Sequence, residues 1–184
     1  ARPVLINNWE ATYFDFSEDQ LLELAEKAQE VGVELFVLDD GWFGQRSNDR
    51  AGLGDWFVNP ERLPQGLGLL AERIHGLGMQ FGLWFEPEMV NKDSQLYRTH
   101  PDWLLAVPDR QTRHGRNQFV LDYSRPEVVD EIFERLSAVI EGGQLDYIKW
   151  DMNRPLTDVF SAAWPADQQG EIFHRYVLGV YDLY

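Results

Sequence analysis

The sequence predicts an α/β fold built on a parallel sheet. Three observations predict it. A helical pattern runs into glycine and then into a short apolar strand, and it does so three times along the chain. Each of those strands ends in acidic residues. The helix starts carry capping signals. Strands that alternate with helices are joined by crossovers, and crossovers make neighbouring strands parallel.

In chain order, Val4-Leu5-Ile6-Asn7-Asn8-Trp9-Glu10 reads as the first strand. Ser17 with Gln20 fits a capping box, in which each side chain satisfies the other residue's backbone N–H. Leu21, Leu24, Ala25, Ala28 and Val31 then keep a helical stripe. Gly32 follows, placed to take the left-handed conformation that ends a helix, and Val33 through Asp40 is the strand after it. The second repeat is Leu69 to Leu77, Gly78, then Met79 through Glu86. From Glu86 to Asn117 the chain is polar and carries Pro87, Pro101 and Pro108; loops this long in compact domains are usually functional or disordered. Phe119-Val120-Leu121-Asp122 is either an extra strand or an extended loop. Ser124 with Glu127 fits a second capping box, and Val128 to Glu141, Gly142-Gly143 and Gln144 through Asp151 complete the third repeat. No linker divides the chain, so residues 1–184 read as a single domain.

Hydrophobic residues make up 44% and charged residues 26% of the chain, as in an ordinary soluble globular protein. A net charge of −15, spread along the sequence, argues against nucleic acid or an anionic membrane as partner. No cysteine is present, which removes disulfides and thiolate metal sites and fits a reducing, cytoplasmic setting. The apolar runs are strand-length, too short to span a bilayer. Several of the seven tryptophans (Trp9, Trp42, Trp56, Trp84, Trp150) stand beside acidic or glycine positions, as in sugar-stacking sites, although aromatic rings are also ordinary core material.

The acids are not scattered. Glu10, Asp39-Asp40, Glu86-Glu88 and Asp151 all fall at the C-terminal ends of predicted strands, where parallel barrels and open sheets place their active sites. The last strand, Leu145 to Asn153, puts Lys149, Asp151 and Asn153 on one face by alternation. An ammonium two residues before a carboxylate favours its ionised form, which a carboxylate nucleophile needs.

These residues carry a resemblance. The stretches Arg2 to Ala11, Leu38-Asp39-Asp40-Gly41-Trp42-Phe43, Gly54-Asp55-Trp56-Phe57, Gly82 to Met89, Gly115-Arg116-Asn117-Gln118 and Lys149 to Arg154 resemble glycoside hydrolase family 36, the bacterial α-galactosidases of clan D, in family order over nearly the whole chain. The resemblance implies part of a (β/α)8 barrel, about the first four βα units. It implies a retaining hydrolase that removes terminal α-linked galactose from oligosaccharides through a covalent galactosyl-enzyme on Asp151. By position, Asp39 and Asp40 would hold the sugar hydroxyls at C4 and C6. Lys149 would contact hydroxyls and keep Asp151 ionised, Trp9 and Trp84 would line the pocket, and Arg116 and Asn153 would add polar contacts. The family's acid/base is an Asp on a later strand, expected beyond this chain. No cofactor or metal is implied. Open strand edges imply self-association. Two rival readings use the same residues: a non-catalytic galactose-binding fragment that lacks the acid/base, and a Mg-dependent barrel enzyme, since carboxylates at strand ends also bind Mg²⁺.

Overall fold

The computed structural model describes residues 2–184. Its elements are β1 (Leu5–Asn7), α1 (Trp9–Thr12), α2 (Glu18–Glu30), β2 (Leu35–Leu38), α3 (Leu67–Gly76), β3 (Gln80–Phe85), β4 (Met89–Val90), α4 (Gln95–Thr99), β5 (Phe119–Val120), α5 (Pro126–Gly142), β6 (Tyr147–Trp150), a 3-10 turn (Ala166–Glu171) and α6 (Ile172–Leu183). They divide into two units. The first takes the chain up to Asn48, Trp56–Phe85 and Ser137–Asp151; the second takes Asp49–Asp55, Glu86–Leu136 and Met152–Tyr184. Each is assembled from separated segments, so no linker marks a boundary.

The first unit holds the parallel sheet, with strands in the order β1-β2-β3-β6. Four parallel strands in chain order are what the expected part of a (β/α)8 barrel supplies, and the sheet is not closed. Its two inner strands are apolar and buried, from Leu35 to Leu38 and from Phe81 to Phe85. The outer strands β1 and β6 expose Leu5, Tyr147 and Ile148, because each pairs on one side only among the described residues.

Local signals explain the helices. Around α2 the capping box forms: the Ser17 hydroxyl accepts the Gln20 N–H at 3.3 Å, and Gln20 Oε1 accepts the Ser17 N–H at 2.8 Å. Gly32 and Gly78 take the expected positive φ, 85° and 79°. The third repeat ends differently. Gln144, not Gly142 or Gly143, is the residue with positive φ (49°). Gly143 is there for space, since a Cβ on it would lie 2.6 Å from Leu67 Cδ2 and 2.9 Å from the Val139 carbonyl. The first strand is also shorter than expected: β1 stops at Asn7, and Trp9 and Glu10 belong to α1.

In the second unit β4 and β5 pair antiparallel, so Phe119–Val120 is a strand outside the parallel sheet. The capping box expected at Ser124 and Glu127 does not form. Pro126 opens α5, its fixed φ suiting a first helical position. Ser124 turns its hydroxyl to Asp122 and accepts the Trp164 indole N–H at 3.0 Å, while Glu127 takes Arg125 at 2.8 Å. The Ser161 hydroxyl also donates to Asp122. Burial pushes the Asp122 carboxyl above its usual range against these two hydroxyls. Nearby, Tyr123 and Tyr176 meet edge to face at 5.7 Å, and the Tyr176 hydroxyl donates to Glu88. Burial raises both phenols. No helix among the described residues is long and apolar enough to cross a membrane.

Candidate active site

The C-terminal ends of the parallel strands are linked by hydrogen bonds centred on Asp39. Just past β2, its carboxylate is nearly buried. Oδ2 accepts two donors, Asn7 Nδ2 at 2.7 Å and the Lys149 ammonium at 2.6 Å. Oδ1 accepts the Asp40 N–H at 2.9 Å, and the Asp39 N–H donates to Asn8 Oδ1 at 2.7 Å. Two donors fill the lone pairs of Oδ2, whereas Oδ1, with one donor, keeps a second lone pair. Lys149 on β6 thus reaches Asp39 past the intervening β3.

Asp151 lies one residue beyond β6, and its N–H donates to the Phe85 carbonyl at 2.8 Å. Its Oδ2 accepts the Trp84 indole N–H at 3.0 Å. Alternation puts Lys149 and Asp151 on one face; the Lys149 ammonium pairs with Asp39, and the Trp84 indole N–H is one of the groups that hold Asp151. Trp84 is itself fixed, 2% exposed, with its ring parallel to Phe43 at 6.1 Å and its carbonyl accepting the Trp42 indole N–H at 2.9 Å. Trp9 is half-buried against Tyr13 and Phe14, edge to face at 5.2 and 5.0 Å, and its N–H donates to Asn7 Oδ1 at 2.9 Å.

Asp40 has a different environment from its neighbour. Arg46 grips it with Nε at 2.8 Å and Nη2 at 2.7 Å, both side chains buried. Burial pushes the Asp40 carboxyl above its usual range, and the guanidinium works against that shift. The two remaining candidates lie in the second unit. Arg116 sits at a turn tip with φ 51°, and the Asn153 N–H donates to buried Glu86.

Sequence reasoning did not single out Asn7, Asn8 and Arg46, which hold Asp39 and Asp40 in the first unit, and it read Glu86 only as one of the strand-end acids. Two carboxamides closing an apolar strand were a visible signal for the first two, because buried amides must find partners. Arg46 gave none: one guanidinium in a polar loop reads as surface. Among the described residues, no three His, Asp or Glu side chains gather as metal ligands.

Residues 1–184 match the family model described as Melibiase. An α-galactosidase of Lactobacillus acidophilus is 56% identical over 182 residues, covering 99% of this chain and 25% of that protein. Among solved structures, a family 36 α-galactosidase of Geobacillus stearothermophilus is 58% identical with a TM-score of 0.97, over 99% of this chain and 25% of that one. A second from the same organism, solved in complex with raffinose, is 56% identical with a TM-score of 0.96 over the same shares. The chain spans about a quarter of the length of the relatives it matches, 25% in each case. With that likeness running along all the described strands, the chain belongs to the melibiase family, the family 36 glycoside hydrolases.

Proposed function

We propose that this chain carries the nucleophile side of a retaining α-galactosidase site, which removes terminal α-linked galactose from oligosaccharides. The observation that carries the reading is the pair of oriented carboxylates at the ends of the sheet: Asp39, held by Asn7 and Lys149, and Asp151, held by the Trp84 indole. The bound raffinose in the Geobacillus stearothermophilus relative supports oligosaccharides of that class as substrates.

In this mechanism an Asp151 oxygen attacks the anomeric carbon as the bond to the leaving oxygen breaks, and that oxygen takes a proton from a general acid. Water, deprotonated by the same group, then displaces Asp151 and restores the anomeric configuration. The indole N–H fixes the plane of the Asp151 carboxylate, which keeps the attacking geometry without rearrangement. Asp39 accepts one sugar hydroxyl through Oδ1, and an enzyme built to accept such a bond discriminates strongly against a sugar that cannot make it. Asp40, gripped by Arg46 through one lone pair on each oxygen, accepts a second hydroxyl on a remaining lone pair. Trp9 and Trp84 line the sugar, with Lys149, Arg116 and Asn153 as polar contacts.

The test is hydrolysis of p-nitrophenyl α-galactoside and α-glucoside, with and without a chelator. The galactoside should be turned over and the glucoside ignored, the chelator should change nothing, and Asp151→Asn should abolish turnover while galactose still binds. Equal turnover of the two sugars, or activity surviving Asp151→Asn, contradicts the proposal. Loss of activity with the chelator favours the Mg-dependent reading instead.

A further inference from the structure

Glu86 follows β3 and is wholly buried, yet no step proposed above uses it. Both of its carboxylate oxygens are engaged. Oε1 accepts the backbone N–H of Asn153, and Oε2 accepts the Gln118 carboxamide N–H at 2.9 Å. Both partners belong to segments that carry a proposed sugar contact. Asn153 is one itself, and Gln118 closes the turn whose tip is Arg116.

That turn is strained. Gly115 and Gln118 exchange backbone hydrogen bonds of 2.9 and 3.3 Å, while Arg116 and Asn117 both take positive φ, 51° and 61°. Side chains other than glycine rarely adopt this region, and such a conformation persists only where its surroundings impose it. Asn91 Nδ2 donates to the Asn117 carbonyl at 2.9 Å, and Glu86 supplies the other anchor through Gln118. The Gln118 side chain is buried, and its carbonyl oxygen has no hydrogen-bond partner among the described residues. Its Nε2 must therefore face Glu86, because the reversed amide would set a carbonyl against a carboxylate.

We propose that Glu86 is a positioning residue: one buried carboxylate clamps the Arg116 turn and the Asn153 backbone in a single register, so that both side chains meet a galactosyl substrate together. The clamp stands on the contacts themselves; what Arg116 and Asn153 touch rests on the α-galactosidase reading.

Hydrogen–deuterium exchange read by mass spectrometry, paired with steady-state kinetics, tests it. In Glu86→Gln one amide oxygen can serve only one partner, and the NH₂ group faces the other. Exchange should quicken about tenfold or more in the peptides holding Asn153 and Gln118 together, as loss of a charge-assisted hydrogen bond implies. Peptides of β2 and β3 should keep their protection. KM for the α-galactoside should rise about tenfold on the same grounds, with kcat per folded molecule changing less. Unchanged protection in either segment, or equal loss along the whole chain as a merely structural role gives, overturns the proposal. Should Glu86→Gln fail to fold, Gln118→Ala removes one arm: the Gly115–Gln118 turn should loosen and the Asn153 peptide stay protected. Loosening of both, or of neither, overturns it. A wild-type protein that hydrolyses no α-galactoside removes the functional reading and leaves the exchange result to decide the clamp.

Discussion

Asp40 and Arg46 make a two-pronged ion pair with both partners buried. Removing one member of such a pair leaves a charge out of water with nothing to neutralise it. Arg46→Met is therefore expected to destabilise the fold by about 3–5 kcal/mol, and adding Asp40→Asn to recover part of that loss. Urea denaturation of the single and double variants checks this; a single variant as stable as wild type contradicts it. The contrast with Asp39 was only half legible in the sequence. Two adjacent acids at a strand end stand out, but nothing in Asp39-Asp40 tells which groups hold each of them. The difference is made by Asn7 and Lys149 for one and Arg46 for the other, partners far along the chain or hidden in a loop. Lys149 was singled out for its neighbour two residues on, whereas its ion pair lies 110 residues away.

At the scale of elements, Asp146 ties the start of β6 to β3 and α3. Its Oδ2 accepts the Phe81 N–H at 2.9 Å and meets His75 Nε2 at 2.8 Å. Partial burial lifts this carboxyl, but the Phe81 N–H and His75 outweigh it and hold the group below its usual range. The sign follows by linkage: a carboxyl depressed in the folded state stabilises fully above its unfolded value of about 4, and the stabilisation is lost as pH falls through the folded value. Asp146→Asn should then flatten the acid side of a plot of Tm against pH between neutrality and pH 3, where wild type falls more steeply. Parallel curves contradict this. Element type was legible wherever a local rule acted alone, as in the capping box of Ser17 and the glycines after α2 and α3. It failed at α5, where Pro126 set the start and close packing against Leu67 explained Gly143. Packing of that kind has no signature in a glycine's neighbours along the chain.

At the scale of the whole molecule, the parallel sheet was readable because its repeat is long and regular, and three of its four strands announce their end with an acid. The two-unit division was not, because each unit is built from separated segments and the signal lies in contacts alone. The outer strands β1 and β6 each leave one ladder unpaired among the described residues and expose Leu5, Tyr147 and Ile148. Such edges are templates for pairing with another chain. Sedimentation should show association that rises with concentration and weakens in Ile148→Lys; a monomer at all concentrations contradicts that expectation. The proposed attack of Asp151 on the sugar is open to mass spectrometry after incubation with an activated fluorinated α-galactoside, whose leaving group departs with little acid assistance. A galactosyl adduct is expected on the peptide containing Asp151, absent in Asp151→Asn. An adduct on another carboxylate, or none on a folded protein that binds galactose, would contradict it.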